Sequence, residues 1–171
     1  MNNNWVKYGL VFVLIVLIQG LVVNNIQFSE YVNPMVYPIM IMMLPFELSA
    51  IVTMLVALLL GLSVDAFSDT FGLHASAALF IGYLRPTIMK YIRPKEGYDS
   101  SLVPSIQDMG VLWFFTYAAV MIFANHMWFF TFEILRFDLF LLIVGKTFFS
   151  LFFSVGLIVL FQYIFYKPSK K

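Results

Sequence analysis

The fold is decided by residues 46–75, which read FELSAIVTMLVALLLGLSVDAFSDTFGLHA. The run 46–64 is almost entirely apolar and is close to the ~20 residues that a helix needs to cross the hydrocarbon core of a bilayer. The polar residues Asp65, Ser68, Asp69 and Thr70 follow within the next six positions, and a second apolar run begins at Gly72. The stretch therefore predicts two membrane helices joined by a short acidic bend.

The composition of the whole chain agrees with a membrane protein. Of the 171 residues, 62% are apolar and 11% are charged, and the mean hydropathy is +0.92. Soluble domains carry about 25% charged residues. The chain has no cysteine, which excludes disulfides, thiolate metal sites and thiol catalysis. Its net charge of +1 gives no reason to expect nucleic acid as a partner.

We predict an all-α polytopic membrane protein with a single domain, residues 1–171, because backbone polar groups in lipid must be satisfied within each crossing segment. Six apolar runs mark the predicted transmembrane helices, at residues 5–23, 35–44, 46–64, 72–84, 109–132 and 139–166. The run 35–44 lies between two prolines and is short enough to be re-entrant instead of spanning. The polar stretch 85–108 is predicted to be a long loop.

The basic residues predict the orientation, because loops on the cytoplasmic side are enriched in lysine and arginine. With six crossings and both termini inside, the outer side holds Arg136, and Lys146 lies within the last crossing. The cytoplasmic side then holds the other eight basic residues, Lys7, Arg85, Lys90, Arg93, Lys95, Lys167, Lys170 and Lys171. The loop 85–108 is therefore predicted to be cytoplasmic, and the acidic bend is predicted to face outward.

The acidic bend carries the candidate functional residues. Asp65 should lie at or just below the lipid headgroups, where acidic residues are rare and often functional. A structural interpretation is also open, since Asp69 and Thr70 can cap the next helix and small residues let helices pack closely. No further acidic or histidine cluster accompanies Asp65 and Asp69, so we expect no metal site. Their expected role is to bind backbone N–H groups of the following helix.

Catalysis is not predicted. His74 and His126 are both expected near the outer surface, but the chain has no Gly-x-Ser-x-Gly motif that would present a serine nucleophile. A packed or interfacial histidine is the simpler interpretation of both residues. We therefore predict no enzyme activity and no cofactor.

The acidic bend and the residues on either side of it resemble the signature of the MreD family, small integral-membrane proteins that determine rod shape in bacteria. The contiguous motif covers residues 61–85, and the rest of the chain agrees in hydropathy, length and helix number. The matching residues are Gly61, Asp65, Phe67, Gly72-Leu73-His74-Ala75 and Gly82-Tyr83-Leu84-Arg85. The chain departs from the family pattern at Asp69, where a small residue is more usual. With Asp69, the motif residues are the candidate partner-binding or structural residues.

The resemblance implies a function that the residues alone do not. MreD-like proteins bind the single-pass, largely periplasmic MreC, and are non-catalytic scaffold or regulatory subunits of the inner-membrane complex that synthesises lateral peptidoglycan. That complex also contains the actin-like MreB, the RodA glycosyltransferase and a class B transpeptidase. The family is similar in fold to the six-helix substrate-binding subunits of energy-coupling-factor vitamin transporters. A substrate-binding subunit of a small-molecule transporter is therefore the alternative function.

The other charged residues have two interpretations each. Lys146, within the last predicted crossing, either snorkels to the outer surface or forms an ion pair with Asp65, Asp69, Glu133 or Asp138. The basic cluster at residues 85–95 either binds anionic lipid or contacts a cytoplasmic partner. Glu47 is expected at the inner interface, alone or beside Arg85.

Overall fold

A computed structural model describes residues 4–26, 31–99 and 102–165 of the chain. This part of the chain forms α-helices and connecting segments and contains no β-strand, which confirms the predicted all-α class. The helices are α1 (Asn4–Leu17), α2 (Pro38–Met42), α3 (Ala50–Ser68), α4 (Leu73–Tyr91), α5 (Ile106–Met109), α6 (Val111–Ile134) and α7 (Phe140–Phe165). A π-helical turn (Ile18–Val22) and a 3-10 turn (Val23–Asn25) extend α1, and a 3-10 turn (Phe137–Leu139) precedes α7.

Four helical stretches in the described residues are long and apolar enough to cross a membrane. They are Tyr8–Asn25, Ala50–Ser68, Val111–Ile134 and Phe137–Ile164. The chain therefore has the helices of a multi-pass membrane protein. Helix α4 is as long as α3, at 19 residues, but it is less apolar and carries Arg85 and Lys90.

Helices α1 and α3 run in the same direction. A Cβ atom on Gly20 would lie 2.7 Å from Phe67 Cβ, and the Asn24 side-chain amide donates a 2.6 Å hydrogen bond to Ser68 Oγ. These contacts bring the C-terminal ends of the two helices together. The chain between α1 and α3 must therefore return from one end of the bundle to the other. Residues 33–45, which we call the inner segment, make this return.

The inner segment combines irregular backbone at residues 33–37 with the short helix α2. The backbone N–H groups of Asn33 and Met35 donate to Ser150 Oγ (2.9 Å) and Ser154 Oγ (2.8 Å) of α7. Because Ser150 and Ser154 are one helical turn apart, the first part of the segment runs along α7 in the same direction. Residues 34–42 are all buried, so the segment occupies the centre of the bundle.

The prediction of a continuous helix over residues 35–44 is wrong, because the structure is helical there only from Pro38 to Met42. The prolines explain the difference. Pro34 and Pro45 lie outside the helix, and Pro38 occupies its first turn, where the missing N–H group costs nothing. The helix ends at Met42, two residues before Leu44, which precedes Pro45 and therefore disfavours helical backbone.

Other helix boundaries also differ from the prediction. Helix α3 begins after Ser49, whose hydroxyl caps it by accepting the Val52 N–H at 3.3 Å, and it continues to Ser68, so Asp65 lies within it and not beyond it. The long loop begins after Tyr91 instead of at Arg85, because α4 continues through Pro86. Inside a membrane bundle the need to pair backbone groups favours a continued helix. Residue 166, the last of the predicted helix 139–166, lies outside the described residues.

Candidate functional site

Asp65 joins α3 to the start of α4. Its carboxylate accepts hydrogen bonds from the backbone N–H groups of His74 (3.0 Å) and Ala75 (2.9 Å), and from Thr70 Oγ1. The two N–H groups belong to the first turn of α4, where they have no partner within the helix, and this end of a helix favours negative charge. Asp65 is 8% exposed, so its carboxylate stabilises the fold and is hardly accessible from the surface. The contact with α4 is the one expected from the sequence.

The turn between α3 and α4 is tight and left-handed. Asp69 (φ 52°), Phe71 (φ 42°) and Gly72 (φ 91°) all have positive φ, and only glycine adopts this conformation without strain. Asp69 closes α3 as its C-terminal cap and is exposed, so the expectation that it binds N–H groups of α4 is wrong. Phe71 is fully exposed at the tip. The turn therefore presents an aromatic ring at the surface of the protein.

Glycines allow α3 and α4 to approach closely behind this turn. A methyl group on Gly61 would overlap the backbone of His74 and Ala75, and one on Gly82 would lie 3.1 Å from Ala57 Cβ. Small residues at such positions let helix backbones pack together in membranes. We call residues 61–75 the α3–α4 corner, and these contacts make it a rigid unit.

His74 faces the core and not the surface. It is 3% exposed, and its ring lies edge-on to Tyr37 at 5.3 Å and 4.6 Å from the ring of Phe129. Among the described residues its Nδ1 atom has no hydrogen-bond partner. The Tyr37 hydroxyl donates a 2.9 Å hydrogen bond to Asn125 Oδ1 beside it. The motif histidine therefore links the corner to the inner segment.

A serine–histidine pair lies deeper in the bundle. His126 Nε2 is 3.2 Å from Ser154 Oγ, and His126 Nδ1 is 2.9 Å from the Ile122 carbonyl oxygen. That carbonyl requires the hydrogen on Nδ1, which leaves Nε2 to accept from the serine. Both side chains are fully buried, and Ser154 Oγ also accepts the Met35 N–H. The pair thus binds the backbone of the inner segment, and the Ser154 hydroxyl is not accessible to a substrate.

Gln19 holds the irregular backbone of the inner segment from the side of α1. Its Oε1 atom accepts the N–H groups of Val36 (2.6 Å) and Tyr37 (3.2 Å), and its amide donates to the Pro34 carbonyl (3.2 Å) and to Asn24 Oδ1 (2.6 Å). Unpaired backbone groups in lipid cost several kcal/mol each, so non-helical backbone requires such a side chain. Gln19 is not among the residues predicted from the sequence, although its amide side chain within an apolar run was the available signal.

Arg85 holds the other end of the inner segment. Its guanidinium donates to the carbonyl oxygens of Leu44 and Pro45, and its Nε donates to Tyr117 Oη at 3.1 Å. Tyr117 in turn donates to the Met42 carbonyl at 3.3 Å. Arg85 is 2% exposed and has no carboxylate within 4 Å among the described residues. The prediction that Arg85 belongs to a basic cluster available to anionic lipid or to a cytoplasmic partner is therefore wrong, because its guanidinium is buried in the bundle.

An aromatic cluster anchors the loop that follows α4. Tyr98 stacks on Phe46 at 4.4 Å and lies 5.8 Å from Trp113. Its hydroxyl donates to the Met89 carbonyl at 2.8 Å, and Trp113 Nε1 donates to the Ile92 carbonyl at 2.9 Å. Partial burial raises the pKa of the Tyr98 phenol, so it remains a neutral hydrogen-bond donor.

Lys146 lies beside Glu133. Its Nζ atom is 3.6 Å from Glu133 Oε2 and 5.4 Å from the centre of the Phe130 ring. Of the other acids considered for it, Asp138 pairs with Arg136 at 2.6 Å. The Lys146–Glu133 pair therefore joins α7 to the end of α6.

The Lys146–Glu133 pair should contribute little to stability. The two side chains are 21% and 35% exposed, and such pairs contribute ~0.2–1 kcal/mol. A double-mutant cycle with Lys146→Met, Glu133→Gln and the double variant, measured by thermal unfolding, should give a coupling energy in this range. Strictly additive losses would show that the two charges do not interact.

The described residues contain no group of three or more histidine or acidic side chains that could hold a metal ion. Comparisons of the chain with protein-family models, with curated proteins and with solved structures gave no match.

Proposed function

We propose that the chain is a non-catalytic scaffold or regulatory subunit of the bacterial cell-elongation complex, similar to MreD. It would control cell shape by binding an MreC-like single-pass periplasmic partner in the inner membrane. The observation that carries this proposal is the role of Asp65, whose carboxylate is used entirely to hold the α3–α4 corner. The corner is thus rigid, and its exposed groups include Phe71 and, at 48% exposure, Phe67. Rigid aromatic groups are typical anchors of protein interfaces.

We also propose six crossings, of which the inner segment and α4 are the two beyond the four long apolar helices. Two observations support this number. The inner segment runs opposite to α1, and α4 folds back along α3, so successive elements alternate in direction. The polar atoms of the inner segment and the charge of Arg85 are buried in protein, which is where lipid-embedded structures tolerate them. Six crossings place both termini on the same side of the membrane, which we propose is the cytoplasmic side.

The orientation follows from the exposed basic residues. Lys90, Arg93 and Lys95 are exposed at the end of α4 opposite the corner, and lysine and arginine favour the cytoplasmic side. We assign these three residues to anionic lipid, or to MreB as a cytoplasmic partner. RodA and a class B transpeptidase would join the same complex.

One observation favours the alternative, a substrate-binding subunit of a vitamin-type transporter. The buried Nδ1 of His74 has no partner among the described residues, and Tyr37 and Asn125 lie near it. A polar ligand entering from the outer side would satisfy this atom. A large thermal shift of the purified protein with one vitamin would support the transporter function.

Co-purification tests the scaffold proposal. The tagged chain should retain a single-pass periplasmic protein. Deletion of the gene for the tagged chain should turn rod-shaped cells round until a plasmid copy restores them.

Phe71→Asp should release the partner without weakening the turn, because aspartate adopts left-handed backbone more readily than phenylalanine. Tyr91→Asp, an 85% exposed aromatic at the opposite end of α4, is the matched control. Equal partner recovery from both variants would contradict the proposal.

A further inference from the structure

A cleft opens between the N-terminal halves of α1 and α3. Its volume is about 710 Å³, within the ~300–1,000 Å³ range of pockets that hold small ligands. Most of its lining is apolar and includes Gly9 and Phe12 of α1, Met40 and Leu44 of the inner segment, and Val52 and Val56 of α3. No step of the proposed scaffold function uses this cleft.

The cleft closes towards the α3–α4 corner. At the far end, Gly20 and Phe67 bring α1 and α3 into direct contact, whereas a Cβ atom on Gly9 would meet nothing within 4 Å. A partner helix is ~10 Å across with its side chains and would need a groove along the whole of α1. A tapering cleft instead suits a thin, flexible hydrocarbon chain.

One acidic side chain, Glu47, is among the residues that line the cleft. Glu47 lies three residues before α3, which crosses the membrane, so its carboxylate is at the level of the lipid headgroups. Glu47 is exposed, and no cation of the described residues, Arg85 included, lies within 4 Å of its carboxylate. A carboxylate that pairs with no cation of the described residues, placed above an apolar cleft, is complementary to a lipid with a cationic amine in its headgroup, and it repels an anionic one.

We propose that the cleft between α1 and α3 binds one acyl chain of an amine-bearing phospholipid, phosphatidylethanolamine, whose ammonium group pairs with Glu47. The inference is independent of the proposed partner, because the cleft lies at the opposite end of α3 from the α3–α4 corner. Bound lipid would fill the space that α1 leaves open and would hold its N-terminal half against the bundle.

Gly9→Leu tests the cleft itself. The new side chain would occupy the cleft, and leucine favours helix over glycine, so the variant should fold at least as well as wild type. Gly156→Leu makes the same change on α7, where a Cβ atom also meets nothing within 4 Å, and is the control. Native mass spectrometry of protein purified in mild detergent should show about tenfold less retained phospholipid in Gly9→Leu alone. Equal retention in wild type and Gly9→Leu would overturn the proposal.

Glu47→Gln tests the headgroup. In nanodiscs with equal amounts of phosphatidylethanolamine and phosphatidylglycerol, wild type should retain the amine lipid with up to about fivefold preference, the range of an interfacial ion pair. Glu47→Gln should lose the preference, and Glu96→Gln, which changes an exposed acid in the loop after α4, should keep it. Retention of both lipids equally by wild type would overturn the assignment. A co-purified helix in place of lipid would overturn it as well.

Discussion

Replacing Asp65 with alanine should remove most of the folded protein from the membrane. Two backbone N–H groups of α4 and the Thr70 hydroxyl would lose their acceptor in a buried position. Hydrogen bonds to charged groups contribute ~1.5–3 kcal/mol each, so we expect a loss of about 3 kcal/mol or more in the free energy of unfolding. Native proteins are stable by only ~5–15 kcal/mol. Thermal unfolding in detergent and the amount of protein in the membrane fraction measure the effect.

Asp69 supplies the matched control for Asp65. It is exposed on the same turn, and asparagine is accepted in its left-handed conformation. Asp69→Asn should therefore leave stability unchanged, whereas Asp65→Asn should be intermediate, because one of its two acceptor oxygens becomes a donor. Wild-type stability in Asp65→Ala, or equal losses in the two asparagine variants, would show that the carboxylate does not hold the corner.

Replacing Arg85 with methionine should release the inner segment from α4. The carbonyl oxygens of Leu44 and Pro45 would lose their donor in the interior of the bundle, and Tyr117 would lose one of its two partners. A buried acceptor without a donor costs ~1–3 kcal/mol, and removal of the desolvated charge offsets part of this cost. We therefore expect a net loss of about 2–3 kcal/mol, measured as a lower unfolding temperature and lower membrane levels.

We expect the role of Arg85 to depend on the geometry of its guanidinium and not on charge alone. Two further variants test this expectation. Lys90→Met removes an exposed charge one and a half turns along α4 and should have little effect. Arg85→Lys keeps the charge, but its compact ammonium group cannot reach both carbonyls and Tyr117 together, so its stability should be intermediate. An Arg85→Met variant as stable as wild type would contradict the proposed anchoring of the inner segment.

The sequence predicted the parts of the fold that depend on long apolar runs. The all-α class and the bond between Asp65 and the backbone of α4 follow from local pattern, because hydropathy selects the helices and an acid beside a helix start is a natural cap. The ends of α3 and α4 were misplaced by several residues. The start of α3 depends on the cap formed by Ser49, and the continuation of α4 depends on the burial of Arg85. Hydropathy indicates neither of these features.

The inner segment could not be predicted in the same way. Its irregular backbone is stable because Gln19, Ser150 and Ser154, which lie far from it in sequence, accept its N–H groups. Each of these residues is, on its own, a single polar side chain in an apolar run. Only the folded bundle brings them to one segment, so their common role as acceptors for its N–H groups can be recognised in the structure and not in the sequence.

The inner segment also connects the two ends of the molecule. His74 of the α3–α4 corner packs on Tyr37 at one end of the segment, and Arg85 binds Leu44 at the other. Both contacts come from α4. A rigid corner would thereby be held in fixed relation to the opposite end, as a scaffold subunit requires.

Photo-crosslinking from position 71 in living cells tests the central claim most directly. A photoreactive amino acid in place of Phe71 should give one adduct with a single-pass periplasmic protein, and the same group at Tyr91 should give no such adduct. Adducts with that protein from position 91 but not from position 71 would contradict the proposed docking role of the corner. Adducts from position 71 to a cytoplasmic protein would contradict its outward orientation.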